Sequence, residues 1–406
     1  MTARAAVLVA PLNPDGAPEH LGAARKIELV ASVLSRLQFS VHLVDSSHAA
    51  RDWRRPVLGE PRRLPGCDVT FWRPACLPWR KLGKLWNVVA PGAIVERLTA
   101  LEPEFVWLYN SYAFEARVGL TLQRATGCGL VLELEDLPHA RSRGLNPKPW
   151  LDAWYFERVL PRADLVTFVN SALRKRFAPR MQGRALLFPS LLGRELVATS
   201  APTRFGRSQH QLGYFGGLEP DKGAGVLLEL LPRLPKSWHM VVTGAGSLEP
   251  AFRRAAVEFP RALTFYGRVA HGRVAELMFA SDAIVNPHAS IAAMHDGVFP
   301  FKVCEALASG ALVISTPLPP IDVELGDAML PFDGSAAGLV KALARAPHRY
   351  TENRSVIEEV RQTVVALYSE GSTLRSLGDA LDAAVTKRRE SARGRPRARD
   401  ARARVS

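Results

Sequence analysis

Between residues 216 and 310, glycine, lysine and glutamate recur at positions that directly follow apolar runs. The stretch Gly216-Gly-Leu-Glu-Pro-Asp-Lys-Gly223 comes after the strand-like run Gln211–Phe215 and before a helical pattern over Val226–Leu234. Glycines let a backbone approach a ligand closely, and a helix N-terminus offers unpaired N–H groups. With the charge of Lys222 beside it, this loop predicts a site for a phosphate or diphosphate.

Three further stretches follow in a fixed order. Thr243-Gly-Ala-Gly-Ser247 and Phe265-Tyr-Gly-Arg-Val269 each come after a strand-like run. The fourth, Phe299-Pro-Phe-Lys-Val-Cys-Glu-Ala-Leu-Ala-Ser-Gly310, precedes the apolar run Ala311–Ser315. The order of the four elements carries more information than any one of them, since glycine occurs in many turns between strands and helices for steric reasons alone.

An ordinary structural role is the alternative for each candidate residue. Glu305 is also placed to favour the first turns of a helix, where acids are stabilised, and Lys222 to be a solvated turn lysine. Glu135 and Asp136 form a possible acid/base pair, yet acids often end strands. Asn110 stands at the end of another apolar run, as a possible contact to a second substrate.

The elements that must position these residues alternate between short apolar runs and amphipathic helical stretches, which predicts parallel sheets covered by helices. The polar stretch 199–210 interrupts the alternation. We therefore expect an α/β protein with two Rossmann-like domains facing a cleft. The predicted boundaries are a first domain over 1–198, a linker over 199–210, a second domain over 211–349, returning helices over 350–386 and a disordered basic tail over 387–406.

Composition narrows the class of protein. Hydrophobic residues make up 47% of the 406 residues and charged residues 23%, which excludes a disordered chain. No apolar run approaches the length of a membrane span. The four cysteines are scattered without metal-ligand spacing, and the histidines show none either, so we expect no metal site and a reducing, cytoplasmic setting.

The four ordered elements resemble the retaining glycosyltransferases of family 4, which have the GT-B fold. The likeness is strongest from Leu212 to Thr316. It includes the loop Gly-x-Leu-x-x-x-Lys-Gly, then Gly-x-Gly, then Phe-x-Gly-x-Val, and finally an acidic motif of the form Pro-x-Lys-x-x-Glu at Pro300, Lys302 and Glu305. The resemblance implies transfer of a hexose from a nucleotide-sugar to an acceptor with retention of configuration, without a cofactor or a metal.

The resemblance also implies roles for individual residues. Glu305 would accept hydrogen bonds from the ribose hydroxyls, and Lys222 would neutralise the leaving diphosphate; we expect these two to be catalytic. Arg268 and its neighbours would flank the nucleobase. The full set of donor-binding candidates is Gly216, Gly217, Lys222, Gly244, Arg268, Val269, Gly297, Val298, Phe299, Lys302 and Glu305. The acceptor-side candidates are Gly22, Asn110, Glu135 and Asp136.

The chain departs from the family pattern at two positions. Many members have arginine where this chain has Gly217, so one phosphate cation is missing or is supplied elsewhere, with Lys302 as the candidate. The family's first glutamate falls on Gly297, and Asp296 is one residue away. The alternatives are a sugar-nucleotide epimerase or a phosphorylase of the same fold, or a non-catalytic carbohydrate-binding homologue.

The distribution of lysine and arginine along the chain indicates a second kind of binding partner, besides the donor and the acceptor. The formal net charge is +14, and the tail from Lys387 has nine Lys/Arg against two Asp/Glu. Residues 77–89 place tryptophans and leucines at helical spacing among Arg80, Lys81 and Lys84. This pattern is typical of a segment that docks on an anionic membrane, so we expect a peripheral protein at the inner face of the membrane with a saccharide or lipid-linked acceptor. No motif accompanies the charge that predicts specific nucleic-acid binding.

Overall fold

The computed structural model describes residues 4–12, 21–47, 56–64, 66–74, 88, 91–135, 137, 148–197, 202, 204–288 and 299–393. These residues form two sheets, each covered by helices on both faces. This is the expected arrangement of two Rossmann-like domains. In both sheets the helices alternate with parallel strands, so the loops that follow the strands gather at one edge of each sheet.

The first sheet has eight strands in the order β3-β4-β2-β1-β5-β6-β7-β8. All neighbours are parallel except β3, which pairs antiparallel with β4 at the edge. The strands are β1 Arg4–Ala10, β2 Phe39–Asp45, β3 Val57–Leu64, β4 Cys67–Arg73, β5 Phe105–Tyr109, β6 Gly129–Leu134, β7 Leu165–Phe168 and β8 Arg184–Leu187.

The second sheet has six strands in the order β11-β10-β9-β12-β13-β14, all parallel. The switch in strand order lies between β9 and β12, which are adjacent in space. At such a switch the loops diverge and leave a crevice. The strands are β9 His210–Phe215, β10 Trp238–Thr243, β11 Leu263–Phe265, β12 Ala283–Asn286, β13 Leu312–Ser315 and β14 Met329–Pro331.

Within the described residues, helices of seven residues or more are α1 Leu21–Arg36, α2 Gly92–Thr99, α3 Ala113–Thr126, α4 Lys148–Val159, α5 Ser171–Phe177, α6 Ala224–Leu230, α7 Glu249–Glu258, α8 His271–Ala280, α9 Phe301–Ala308, α10 Ala336–Glu352, α11 Arg354–Tyr368 and α12 Glu370–Arg393. None of these helices is long and apolar enough to cross a bilayer. Helices α1 and α12 cover one face of the first sheet, and α2 to α5 cover the other.

Three strands were not predicted from the sequence. β3 contains Pro61 and three charged residues and lies antiparallel at an edge, so it lacks the continuous apolar run of a buried parallel strand. β8 and β14 are short and end their sheets. Propensity is a poor guide to edge strands because pairing with one neighbour, rather than burial on both faces, determines them.

The predicted linker is packed more closely on the second domain than its polar sequence indicated. Arg204 is buried and donates hydrogen bonds to the carbonyl oxygens of Phe279 (2.7 Å), Ser281 and Ser309, which end helices α8 and α9. The amide of Phe205 donates to Asp282 Oδ1 at 2.6 Å. Residues 204 and 205 of the predicted linker are therefore attached to the second domain.

The C-terminal helices return to the first domain. The amide of Leu192 donates to Tyr368 O at 2.8 Å, and α12 packs across α1, β6, β7 and β8. The predicted start of a disordered tail at Lys387 is wrong, because α12 continues to Arg393. Lys387 Nζ donates to Gln182 O at 2.8 Å and Arg388 Nε to Gly127 O at 3.3 Å, so this end of the helix is fixed to the first domain.

Replacing Arg204 by methionine is expected to lower the free energy of unfolding by about 2–4 kcal/mol, since a charged donor is lost and its carbonyl acceptors stay buried. Urea denaturation measures the change. The control is Arg207→Met, which removes the same charge from an exposed position of the same segment. Equal unfolding midpoints for the two variants would contradict the docking of the linker described here.

Candidate nucleotide-sugar site in the cleft

Three glycine loops meet at the carboxyl ends of β9, β10 and β11. Gly216 N donates to Thr243 O (3.2 Å), and Gly244 N donates to Gly267 O (2.9 Å). A Cβ on Gly244 would lie 1.9 Å from Gly216 O, so only glycine permits this approach. Glu219 adds a side-chain link, because its carboxylate accepts from the amide and the hydroxyl of Ser247. The loops form one continuous backbone surface.

Lys222 lies at the end of the first loop, in a short 3₁₀ turn over Pro220–Lys222. Its Nζ is 3.2 Å from His288 Nε2 and 3.5 Å from Asp221 Oδ2. The turn ends at Gly223, whose φ is +74° and whose Cβ, if present, would lie 1.8 Å from Pro287 O. Glycine here lets the loop rest on the end of β12, which places Lys222 beside His288.

Lys302 points inward, under the first loop. Its Nζ lies 4.4 Å above the centre of the Tyr214 ring, and a Cβ on Gly216 would be 3.7 Å from the same atom. Tyr214 in turn donates from its hydroxyl to Gly217 O at 2.6 Å. Burial, with a further contribution from the positive charge of Lys222, lowers the pKa of the Lys302 ammonium to about 7. Lys222 in the loop and Lys302 beneath it are therefore close enough to interact.

Glu305 lies one turn further along α9, and its side chain is half-buried. Burial raises the pKa of its carboxyl to about 7, an effect that the charge of Arg25 opposes and that of Glu195 increases. Arg25 belongs to α1 of the first domain and forms an ion pair with Glu195 in the crossover segment. The glutamate therefore faces charged groups from outside its own domain.

The opposite wall of the cleft is formed by α1. Glu28 on this helix interacts with Arg25 and with Arg268, which follows β11 in the second domain, and burial raises its pKa. His271 begins α8 in the second domain. Burial lowers its pKa to about 4, and the charge of Arg25 contributes to this shift. Titratable side chains from both domains therefore lie close together beside the glycine loops.

Two acceptor-side candidates lie inside a buried network. Lys26 Nζ pairs with Glu133 Oε1 at 2.9 Å, pairs with Glu135, and donates to Phe188 O. Burial alone would lower the pKa of Lys26, but the two carboxylates outweigh it and raise the pKa. Asn110 Oδ1 accepts from the amide of Glu135 at 2.9 Å. In this structure Asn110 holds the end of β6, and Glu135 balances a buried lysine.

The remaining predicted site residues lie in several different parts of the chain. Gly22 lies in the first turn of α1, and Val269 follows Arg268 in the loop after β11. The Phe299 side chain is buried in the core, so a role in donor binding would fall to its backbone. Asp136, Asp296, Gly297 and Val298 lie outside the described residues, as does most of the segment 77–89.

Five residues at this site were not predicted as site residues: Arg25, Glu28, Glu195, His271 and His288. Arg25 stands three residues after Gly22, within the first turns of a helix that follows a strand. That placement was a usable signal for Arg25, and the position of His288 directly after the run Ala283–Asn286 was one for His288. Glu28, Glu195 and His271 had no such signal, because their proximity depends on how the two domains face each other.

Comparison with protein families supports the interpretation of the second domain as a domain of the glycosyltransferase type. Residues 209–347 match the family described as glycosyl transferases group 1. A comparison with curated protein sequences finds no significant match.

Similar solved structures cover nearly the whole chain. Sucrose-phosphate synthase from Thermosynechococcus elongatus superposes with a TM-score of 0.69 at 17% identity, over 93% of this chain and 98% of that one. HepE from Anabaena, solved with UDP and glucose, gives 0.64 at 16% identity, over 94% and 99%. The UDP-forming α,α-trehalose-phosphate synthase from Burkholderia vietnamiensis gives 0.61 at 13%, over 95% and 98%. The fold is thus the GT-B fold of glycosyltransferases.

Substituting Gly223 by alanine is expected to cost at least about 1 kcal/mol of unfolding free energy, because alanine is strained at positive φ and its Cβ would meet Pro287 O. The same change should weaken binding of a nucleoside diphosphate by displacing Lys222. Isothermal titration calorimetry and urea denaturation measure the two effects.

The matched control is Gly225→Ala, two residues along. Its Cβ would meet nothing within 4 Å, and it lies in helix α6, where alanine is favoured. If both variants bound the nucleotide as the parent protein does, the tight packing at Gly223 would have no part in the site.

Proposed function

We propose that this protein transfers a hexose from a nucleotide-sugar to an acceptor hydroxyl with retention of configuration, and that it does so without a divalent metal. The observation that supports this most strongly is the placement of Lys222 in the first glycine loop and of Lys302 beneath it, with Glu305 one turn away on α9. The GT-B fold and the family match of residues 209–347 favour the same conclusion.

The two lysines suit the diphosphate of the donor. In glycosyl transfer, the bond between the anomeric carbon and the diphosphate oxygen breaks, and the diphosphate leaves with the electron pair. Negative charge on that oxygen grows toward the transition state, so cations fixed beside it lower the barrier as well as bind the substrate. In the retaining reaction, the acceptor oxygen bonds to the same face of the sugar, and its proton passes to the departing phosphate.

Glu305 suits the ribose. A carboxylate accepts from two adjacent hydroxyls at once, and α9 holds this one at the edge of the cleft. Arg268 follows β11 at the same edge, in the position we assign to the nucleobase. These assignments give each side of the donor a partner on the second domain and leave the first domain to bind the acceptor.

The acceptor in this proposal is a saccharide or a lipid-linked saccharide, and the protein acts in the cytoplasm at the inner face of the membrane. The basic and aromatic composition of 77–89 and of the C-terminal residues favours that location. Specific nucleic-acid binding is no part of the proposal. A second candidate function is non-catalytic binding of the nucleotide-sugar, which Gly217 favours because it removes one cation from the family pattern.

We expect Glu305→Ala and Lys222→Ala each to lower the rate of sugar transfer about ten- to a hundredfold, since each removes a charged hydrogen-bond partner of the donor. Release of the nucleoside diphosphate from a panel of nucleotide-sugars, with excess chelator present, measures it. Lys236→Ala on the outer surface of the second domain is the control. Parental rates in both site variants would contradict the assignment; binding without transfer in the parent protein would favour the non-catalytic candidate.

The pH dependence of donor binding follows from two opposite titrations. Glu305, with a pKa of about 7, must lose its proton to accept from two hydroxyls, so its contribution grows as pH rises through 7. Lys302, also with a pKa of about 7, loses its charge over the same range, so its contribution falls. We expect nucleoside diphosphate affinity to peak near pH 7 and to decrease on both sides.

Two variants distinguish the acidic side from the alkaline side of this affinity profile. Lys302→Met should abolish the alkaline decrease, and Glu305→Gln the acidic one. The terminal phosphate of the ligand also titrates near pH 6, but that contribution is common to all the proteins and cancels when variants are compared. Profiles of the same shape in parent and variants would show that neither group faces the ligand.

A further inference from the structure

A pocket of about 300 Å³ lies on the first domain, away from the cleft. Among the described residues it is lined by Leu120, Gln123, Arg124, Arg158, Arg162 and Arg388, so that four cations and no carboxylate form its wall. Asp164 lies behind this wall, where it interacts with Gln123 and Arg388. We propose that this pocket binds the phosphate headgroup of an anionic membrane lipid and, with Trp150 and Trp154 beside it, holds the first domain on a membrane surface. The proposal does not depend on glycosyl transfer.

The arginines are held in place by helix ends. Arg158 donates to Trp154 O (3.0 Å), Arg162 to Arg158 O (2.9 Å) and Arg388 to Gly127 O (3.3 Å). Capping of helix carbonyls by arginine is common, and it would account for each contact singly. Each of these bonds uses one of the five N–H groups of a guanidinium, however, and a fixed guanidinium keeps its remaining donors in one plane for phosphate oxygens.

The same helix presents two exposed tryptophans. Trp150, Trp154, Arg158 and Arg162 follow one another at four-residue steps, which places them along one side of α4 and its 3₁₀ extension. Trp150 is 80% exposed and Trp154 48%, a costly arrangement for large apolar side chains in water. Arg158 stacks on the Trp154 ring, with 3.2 Å between its Cζ and the ring centre. The stripe is about 18 Å long at 1.5 Å per residue.

This combination fits a lipid surface better than a free anion. Tryptophan prefers the boundary between headgroups and acyl chains, and arginine pairs with the phosphates at that depth. A soluble phosphate would use the four arginines but would leave both indoles in water. The two features share one side of α4, where Arg158 stacks on Trp154, so one flat surface carrying phosphates above an apolar layer satisfies both.

The position of the pocket in the fold keeps the cleft accessible. Arg124 is in the last turn of α3 and Arg162 just precedes β7, so both lie at the amino ends of the strands. The glycine loops lie at carboxyl ends of the other sheet, and α1 faces them from the carboxyl end of β1. A membrane contacting the arginine pocket would therefore touch the outer side of the first domain. Arg388 joins the pocket because α12 crosses to this edge.

Flotation of the full chain with phosphatidylcholine vesicles, with and without phosphatidylglycerol, tests the proposal. We expect binding that requires the anionic lipid. Changing Arg124, Arg158, Arg162 and Arg388 to glutamine should weaken it at least about tenfold, as should Trp150→Ala with Trp154→Ala. The tryptophan variant tests the same surface independently, in case the arginine variant loses binding because it misfolds. Thermal unfolding of each variant is recorded as a check on folding.

One control removes the same charge elsewhere. It changes Arg233, Arg254, Arg261 and Arg345, all exposed on the second domain, to glutamine. This control should keep vesicle binding within about threefold of the parent. Equal losses of binding in the control and in the pocket variant would mean that net charge alone acts, and would overturn the proposal.

Two other possible ligands are tested in separate titrations. Millimolar glycerol phosphate and a DNA duplex are titrated into the parent and the pocket variant. If the parent bound either of these through the pocket arginines and did not float with anionic vesicles, the lipid proposal would be wrong. The same follows if binding persisted in the arginine and tryptophan variants.

Discussion

Two positive charges at one loop, Lys222 within it and Lys302 beneath it, are the feature on which the candidate site depends. The two lysines come from different elements, and burial, together with the charge of Lys222, lowers the pKa of Lys302 to about 7. Like charges brought together in a partly desolvated place are costly unless an anion joins them. Asp221 supplies part of that balance near Lys222. A diphosphate would supply the rest, and its arrival would restore the full charge of Lys302.

That pair can exist only because the glycine loops bring backbone, rather than side chains, to the same place. Gly244 lies against Gly216 O and Gly223 against Pro287 O, each at a distance that excludes a Cβ. The close contacts fix the loops at the ends of three parallel strands, so Lys222 is positioned by the sheet and not by a flexible turn, while helix α9 positions Lys302. The cleft charges of Arg25 and Glu195 then reach Glu305 from the opposite side.

The sequence predicted the parts of the molecule that depend on local patterns. Eleven of its apolar runs lie in parallel strands within a residue or two of the predicted ends, and the loops around Gly216, Gly244 and Gly267 are adjacent as expected. It missed β3, where charged residues face water at an antiparallel edge, and it ended α12 too early because Lys387 and Arg388 looked like tail charge rather than cations that bind backbone carbonyls. Asn110 and Glu135, predicted to contact the acceptor, also have structural contacts that the sequence did not reveal: Asn110 accepts from the amide of Glu135, and Glu135 pairs with the buried Lys26. Such roles depend on which elements pack together, which no local pattern contains.

Gly217 illustrates how a departure from a family pattern is balanced elsewhere in the fold. Arginine at this position would add its charge from the loop itself. Here the loop has no side chain at 217, where a Cβ would have only Lys222 Cγ near it, at 3.9 Å. The inward direction of Lys302, fixed over the Tyr214 ring, brings a second cation to the same loop from α9 below. Because Tyr214 also holds Gly217 O through its hydroxyl, the loop and the substitute cation share one support. In the proposed function the diphosphate therefore keeps two positive partners, although the second enters from a helix instead of the loop, and its charge now depends on pH near neutrality.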